Sequence, residues 1–520
     1  MSQLSKTVST FSPALAMLAV FLMSAVQATA QEESHYEPNW ESLQKYQIPD
    51  WMADAKFGIF IHWGPSCVSE HDTDWYPRWM YEDQIQRHHV TGEIKGNEPH
   101  PAYLHHVKTY GDPADVGYKD LIPLFKAENF DAKQWVDLFV EAGAKYVIPV
   151  AEHHDGYAMY DSSHTRWNSV EIGPKRDLLA ELRDEIRRQG LIFGASSHYA
   201  FNWRYYPQDP AYDTGNPEFA DLYAPLHEPG SPASEEFLEM WWVRTKEVID
   251  NYQPDILWFD FGLDFPEFAP YHPKLAAYYY NHGRKRGVTT VLQTKNLRFP
   301  SYPKGTHMLD LERSKSDEML DELWQTDTSV GSNSWFYCDD WKSKSANSLI
   351  DDLVDIVSKN GCLLLNIGPD SSGRIPEEQA DVLREIGRWL AVNGEAIYGS
   401  RPWKVFGEGP TKVATGHLSE GKNTDFTATD VRFTAKPEVI YATILQAPAG
   451  EVLIRSLDAS EHPELEQIAS VSVLGSDQAL QWQMTVEGLW IESIVDPPFE
   501  NAVVLRIDLT SSAERSNVDK

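Results

Sequence analysis

The feature that most constrains this chain is a repeated unit: a capped amphipathic helix, a glycine, then a short strand that is apolar throughout and ends in polar residues. Asp131 can cap a helix carrying Trp135, Leu138, Phe139 and Ala142; Gly143 stops it, and "KYVIPVAEHH" follows. Asp177 can cap "LLAELRDEIRRQ", whose Leu178, Leu179, Leu182 and Ile186 share one face; Gly190 closes it before "LIFGASSHY". A third unit runs from a helix around Glu235 to Asn251 into "PDILWFDFG", and a fourth leads into "VTTVLQTKN". Continuous rather than alternating apolar strands imply burial on both faces, as in a parallel sheet covered by helices.

The strand ends narrow the fold. "FGIFIHWG" reaches His62, "VAEHHDG" His153 and His154, "GASSHY" His198, and "LWFDFG" Asp260. Polar groups at the carboxyl ends of many successive strands are what a β/α barrel produces, because its site is built from the βα loops. A doubly wound sheet would concentrate them at one switch point, and no glycine-rich phosphate loop follows any strand. The expectation is an α/β chain: a TIM-like β/α barrel over residues 31–404. Alternating runs such as "DVRFTAKPEVIYATIL" and "AVVLRIDL" then predict a small antiparallel β-sandwich over 405–512, with 513–520 a disordered tail.

Residues 1–30 read as a secretory signal. Lys6 precedes the apolar run "ALAMLAVFLMSAV", which ends at the small-residue site Ala28-Thr29-Ala30. The expected product is an exported protein, periplasmic or extracellular, cut near Ala30 and with no membrane insertion in its mature form. A net charge of −33 argues against nucleic acid as a partner. Cys67, Cys338 and Cys362 match no metal spacing and no disulfide framework.

Two adjacent histidines raise the question of a metal. Barrel metallohydrolases use an HxH pair, with both rings on one side of a strand; adjacent residues on a regular strand point to opposite sides. With His62, His198, Trp63, Trp75, Tyr76 and Trp203 also near strand ends, the cluster reads as a polar pocket with aromatic walls. Such a pocket suits a sugar, whose hydroxyls take polar partners and whose C–H faces take flat apolar surface. No metal and no other cofactor is expected. A site that cuts a glycosidic bond needs two carboxyl groups. Asp260, directly after "ILWF", is one candidate; the second lies among Asp310, Glu312, Asp317, Glu318, Asp321 and Glu322.

In order along the chain, "KFGIFIHWGPSCVSEHDTDWYPRWMY", "HHDGYAMYDSSHTRWN", "PDILWFDFG", "WQTDTSVGSNSW" and "GCLLLNIGPDSSGRIP" resemble the glycoside hydrolase family 29 α-L-fucosidases, over roughly residues 40 to 405. The resemblance implies an exo-acting, retaining hydrolase on a β/α barrel followed by a β-sandwich, with a fucosylated glycan as substrate and no metal in the chemistry. It implies that Asp260 is the nucleophile, that His62 binds the sugar, and that His153 and His154 hold its hydroxyls. Trp75 corresponds to the aromatic residue lining the pocket. Asp74 stands where the family usually has Glu, and Lys295 resembles a basic residue often Arg elsewhere. "LDLERS" resembles a bacterial D-x-E-R pattern, which makes Glu312 the acid/base, with Glu318 in reserve. Glu312 stands twelve residues before Trp324, which is expected to help wall the pocket. Phe261, Trp63 or Trp335 is expected to meet the C6 methyl group. Alternatives are a relative acting on L-galactose or another fucose-like sugar, a non-catalytic sugar-binding protein, and a metal-dependent hydrolase on the same barrel.

Overall fold

The computed structural model describes residues 35–84, 86–88, 90–91, 93–295 and 301–510. The expected signal sequence and the expected tail lie outside these residues. Eight parallel strands close into a barrel: β1 (Phe57–Ile61), β2 (Tyr146–Glu152), β3 (Ile192–Ser197), β4 (Ile256–Phe259), β5 (Val291–Thr294), β6 (Met308–Asp310), β7 (Trp324–Ser329) and β8 (Gly361–Ile367). Each strand pairs with its neighbours in sequence, and β1 closes the ring against β8 with Phe57 opposite Leu363.

Helices α1 (Ala132–Glu141), α2 (Leu178–Arg188), α3 (Glu235–Glu247), α4 (His272–Lys285) and α5 (Ala346–Ser358) lead into β2, β3, β4, β5 and β8, and α6 (Glu377–Asn393) follows the barrel. Local chemistry sets their starts. Asp131 accepts from the backbone N–H of Lys133 and Gln134, Asp177 from Ala180, Ser234 from Phe237 and Ser345 from Ser348. Gly143 and Gly190 follow α1 and α2 in the left-handed region, at φ +87° and +79°. The connection from β6 to β7, residues 311–323, carries no helix.

Large residues fill the barrel: Phe60, Tyr146, Ile148, Trp258, Met308 and Leu364 form one buried cluster, distinct from the larger core between strands and helices. A polar ladder crosses it, with the Tyr146 hydroxyl donating to Gln325 at 2.9 Å and the Gln325 amide to Asp310 at 2.7 Å. The second unit pairs a five-stranded antiparallel sheet with a three-stranded one. The larger sheet contains β9 (Arg401–Glu408), β10 (Val431–Lys436), β11 (Val439–Ile444), β13 (Ile468–Val473) and β16 (Val503–Leu509). The smaller contains β12 (Val452–Ile454), β14 (Trp482–Thr485) and β15 (Gly488–Ile491). Both sheets contribute to its own apolar cluster, which includes Phe433, Ile444, Ile454, Leu489, Leu505 and Ile507. No helix among the described residues is long and apolar enough to cross a membrane.

Candidate active site

All eight strands deliver polar groups to one mouth of the barrel. His62 follows β1, His153 and His154 follow β2, His198 follows β3, Asp260 follows β4, Lys295 follows β5 and Glu312 lies two residues past β6; Asp327 and Asn366 come from β7 and β8. This is the end at which a β/α barrel has its loops free to vary without disturbing the core.

Asp260 is the centre. Its Oδ2 lies 3.2 Å from His154 Nε2 and 3.2 Å from His198 Nδ1, while Oδ1 lies 3.0 Å from Lys295 Nζ. Burial alone would raise its pKa, but the Lys295 ammonium and the two histidine hydrogen bonds outweigh it and hold the carboxyl well below the usual range. Gly262, at φ +103°, lets the chain turn directly after Asp260 and packs against Phe201, where a Cβ would approach within 3.1 Å.

Lys295 links three acids, with Nζ 2.7 Å from Glu312 Oε2 and 3.3 Å from Asp327 Oδ2. Burial raises Glu312, and the Asp260 charge adds to that; Lys295 opposes both without cancelling them. One carboxyl group is therefore held ionised and its neighbour is biased towards protonation. Since Lys295 occupies Oε2, a proton on Glu312 belongs on Oε1. Asp74 lines a cavity together with Glu312, its carboxyl pushed up to about 6 by burial.

The histidines form a buried wall. Ring centroids lie 4.5 Å apart for His153 and His154, 4.7 Å for His153 and His198, and 5.2 Å for His62 and His198. Burial, reinforced by neighbouring imidazoles, keeps His62 and His153 well below the usual histidine range, and burial takes His198 down to about 4. His153 Nδ1 is buried with no partner among the described residues, a group positioned for a ligand hydroxyl. Donor atoms of His62, His153 and His198, and of His154, His198 and Asp260, lie within 4.8 Å of one another, so either trio could hold a metal ion.

The geometry corrects several expectations. His153 and His154 do not point to opposite sides: β2 ends at Glu152, strand alternation stops there, and both rings enter the cluster. Trp324 is no part of the wall. It opens β7 at the opposite end of the barrel, where its indole donates to Lys359 O at 2.9 Å. Trp63 turns outward, 4.9 Å from Trp135, and packs in the core rather than in the cluster. Trp203 stacks on His227 at 3.8 Å, and Tyr76 turns to His105 and His106. Trp75 packs 5.9 Å from His154 beside Phe261, and Trp335 lies 5.2 Å from His62. Glu318 is exposed, so of the two candidate glutamates Glu312 is the one brought to Asp260, through Lys295.

Asp155, the third member of "HHD", is structural: it accepts from the hydroxyls of Tyr118 and Ser66 and from the Tyr157 backbone N–H. Asn366 and Asp327 were not anticipated, although a polar residue inside "LLLNIG" or "WQTDTS" breaks an apolar strand and marks the position. Above the cluster opens a cavity of about 950 Å³, lined by Trp75, Phe261, Glu312, Trp335 and residues from the loop around His417 and Phe426.

A barrel whose mouth pairs an ionised carboxylate with a carboxyl of raised pKa, under a wall of imidazoles and aromatic rings, is that of a glycoside hydrolase. Residues 23–395 match the model of the α-L-fucosidase family and 423–508 that of the α-L-fucosidase C-terminal domain. The chain belongs to the α-L-fucosidase family. It is 30% identical over 493 residues to the tissue α-L-fucosidase of Rattus norvegicus, covering 92% of this chain and 93% of the relative. It is 31% identical over 476 residues to the plasma α-L-fucosidase of Homo sapiens, covering 89% of each. Among solved structures, the Thermotoga maritima α-fucosidase in complex with fucose superposes with a TM-score of 0.69 at 29% identity, covering 91% of this chain and 100% of that one.

Proposed function

We propose that this protein is an exo-acting, retaining α-L-fucosidase that removes terminal α-L-fucosyl residues from glycans by double displacement. The observation that carries the retaining reading is the shared lysine. Asp260 Oδ1 and Glu312 Oε2, at 3.0 and 2.7 Å from one Nζ, cannot be farther apart than those two distances laid end to end. So close an approach of the two carboxyl groups supports the roughly 5–5.5 Å spacing of a retaining pair over the roughly 6.5–9.5 Å that an inverting pair keeps for its water.

In the first step Asp260 attacks the anomeric carbon while Glu312 protonates the departing oxygen. Forming the fucosyl ester removes the Asp260 charge, which had helped to raise Glu312. Lys295 then acts on Glu312 without that competitor, its pKa falls, and the former acid becomes the base that activates water for the second step. The imidazole wall supplies hydrogen bonds to the sugar hydroxyls, and Phe261 and Trp335 supply apolar surface.

The test is Asp260→Ala. The variant should stay folded, lose nearly all turnover of an aryl α-L-fucoside, and with azide yield β-L-fucosyl azide; an α-azide product or near-normal activity contradicts the reading. L-Galactosides in the same panel separate the fucosidase from an enzyme of a related sugar. The chain is also proposed to be exported, its mature end near Gln31, on the sequence of residues 1–30. Amino-terminal sequencing that found Met1 on exported protein would reject this.

A further inference from the structure

The loop between β9 and β10, residues 409–430, leaves the second domain and lies over the barrel mouth. Its backbone meets the β6–β7 connection twice: Leu418 N–H donates to Glu312 O at 3.1 Å and Glu420 N–H to Arg313 O at 2.9 Å. Between them the Ser419 hydroxyl donates to that of Ser314 at 3.2 Å. The Glu420 carboxylate then takes three partners from the barrel: Arg313 at 2.5 Å, Thr328 at 2.6 Å and Lys344 at 2.9 Å. Arg313 in turn stacks on Trp335, its guanidinium carbon 4.5 Å from the ring centroid. The loop also brings His417 Nδ1 to 3.8 Å from Glu312 Oε2.

Two non-glycine residues on either side of this contact, Arg313 and Leu418, are held in the left-handed region at φ +41° and +55°. Such conformations persist where the surroundings over-determine them, and they concentrate at functional sites. The β6–β7 connection has no helix to brace it. A carboxyl on so short a support needs an external brace to keep its place.

We propose that Glu420 is a positioning residue for catalysis: through Arg313 and Lys344 it latches the second domain's loop onto the barrel and fixes Glu312 for proton transfer. The domain that follows the barrel thus completes the active site rather than merely accompanying it. This rests on the acid/base role proposed above for Glu312. Oriented proton donors lose about a hundredfold in rate for displacements of the order of 1 Å, so a loosened latch should be felt first where protonation matters most.

The experiment measures Glu420→Gln in the full-length protein on two substrates: an activated aryl fucoside, whose leaving group needs no acid, and a fucosylated oligosaccharide, whose leaving group does. Turnover of the oligosaccharide should fall at least about tenfold while that of the aryl fucoside changes less than about threefold, and Glu420→Asp should recover part of the loss. The alkaline limb of kcat/KM should also move to lower pH, because water admitted by the loosened loop relieves the burial that raises Glu312. The groups facing Glu312, namely Lys295, Asp260, Asp327, Asp74, Arg313 and His417, remain in the variant. If Glu420→Gln does not fold, Lys344→Gln loosens the same latch from its rim and should give the same dependence. Parallel losses on both substrates, or none on either, overturn the latch. Glu312→Ala is measured alongside: if it lacks the leaving-group dependence, the acid/base role itself is wrong and the latch falls with it, whereas dependence in Glu312→Ala alone rejects only the latch.

Discussion

Asn366 holds His62 at two points: its Oδ1 accepts the His62 backbone N–H at 3.0 Å and lies 2.8 Å from ring Nδ1. A carbonyl oxygen can only accept, so Nδ1 carries the proton and Nε2 is left as the acceptor. The other end of the amide is fixed as well, with Nδ2 donating to Ser329 Oγ at 3.0 Å and Trp335 O at 2.8 Å. One β8 side chain thus sets the tautomer of a buried histidine in the proposed sugar site and the position of the segment bearing Trp335.

Asn366→Leu should therefore act on sugar binding. Losing the amide leaves the His62 ring Nδ1–H buried without its acceptor, while the backbone N–H keeps Ile367 O at 3.2 Å; the cost is about 1–3 kcal/mol, or roughly tenfold or more in kcat/KM. Steady-state kinetics on an aryl fucoside should show the loss mainly in KM, and inhibition by free L-fucose should weaken in parallel. An unchanged inhibition constant would show that His62 does not touch the sugar.

The pH profile of kcat/KM should be a bell with its two limbs set by different physics. Asp260 must be ionised, and its depressed pKa places the acid limb below the usual carboxylate range. Glu312 must be protonated, and its raised pKa carries the alkaline limb above the usual glutamate range. Lys295→Met should move both. The Asp260 limb rises because its chief counter-charge is gone, and the Glu312 limb rises because the cation opposing its protonation is gone. A Lys295→Met profile with unmoved limbs would exclude the lysine from the coupling.

Glu312→Ala should cripple a natural fucoside by about 10²–10⁴ while sparing an activated aryl fucoside, since only the former needs a proton from the enzyme. Glu318→Ala, at an exposed position, should leave both rates near those of the unaltered protein. Leaving-group dependence in the Glu318 variant would reverse the assignment.

The strand ends were legible because polar residues that interrupt continuous apolar runs have few structural uses inside a barrel. His62, His153, His154, His198 and Asp260 all meet in one cluster on that basis. Aromatic residues were misjudged for the converse reason. Trp63, Trp203 and Trp324 satisfy a core as readily as a pocket wall, and only tertiary packing decides which. Glu420 had no local signal at all. It sits in a polar loop, and its partners Arg313 and Lys344 are 107 and 76 residues away in sequence.

The two domains meet through a buried charge cluster that makes a stability prediction. Arg432 on β10 donates from Nε to Asp355 Oδ1 on α5 at 2.6 Å, and Lys359 Nζ lies 2.8 Å from Asp355 Oδ2. Burial would raise Asp355, but Lys359, Arg432 and Lys315 together hold it below its ordinary value. A depressed carboxylate gives stability that is present above its unfolded pKa and lost as pH falls through the folded one. Arg432→Ala takes away one of those cations, so the folded pKa of Asp355 rises, and the stability it contributes is smaller and is fully lost at a higher pH. Removing one partner of a buried ionic cluster costs about 3–5 kcal/mol, less here to the extent that Lys359 still pairs with Asp355. Thermal unfolding followed as a function of pH should show a midpoint for Arg432→Ala that is lowered most at neutral pH, with a deficit that narrows on acidification as the unaltered protein loses the same pairing, and Arg432→Lys should be intermediate because it keeps the charge but not the Nε geometry. A midpoint equal to that of the unaltered protein at neutral pH would mean that the domain contact is held by its apolar neighbours and not by this cluster.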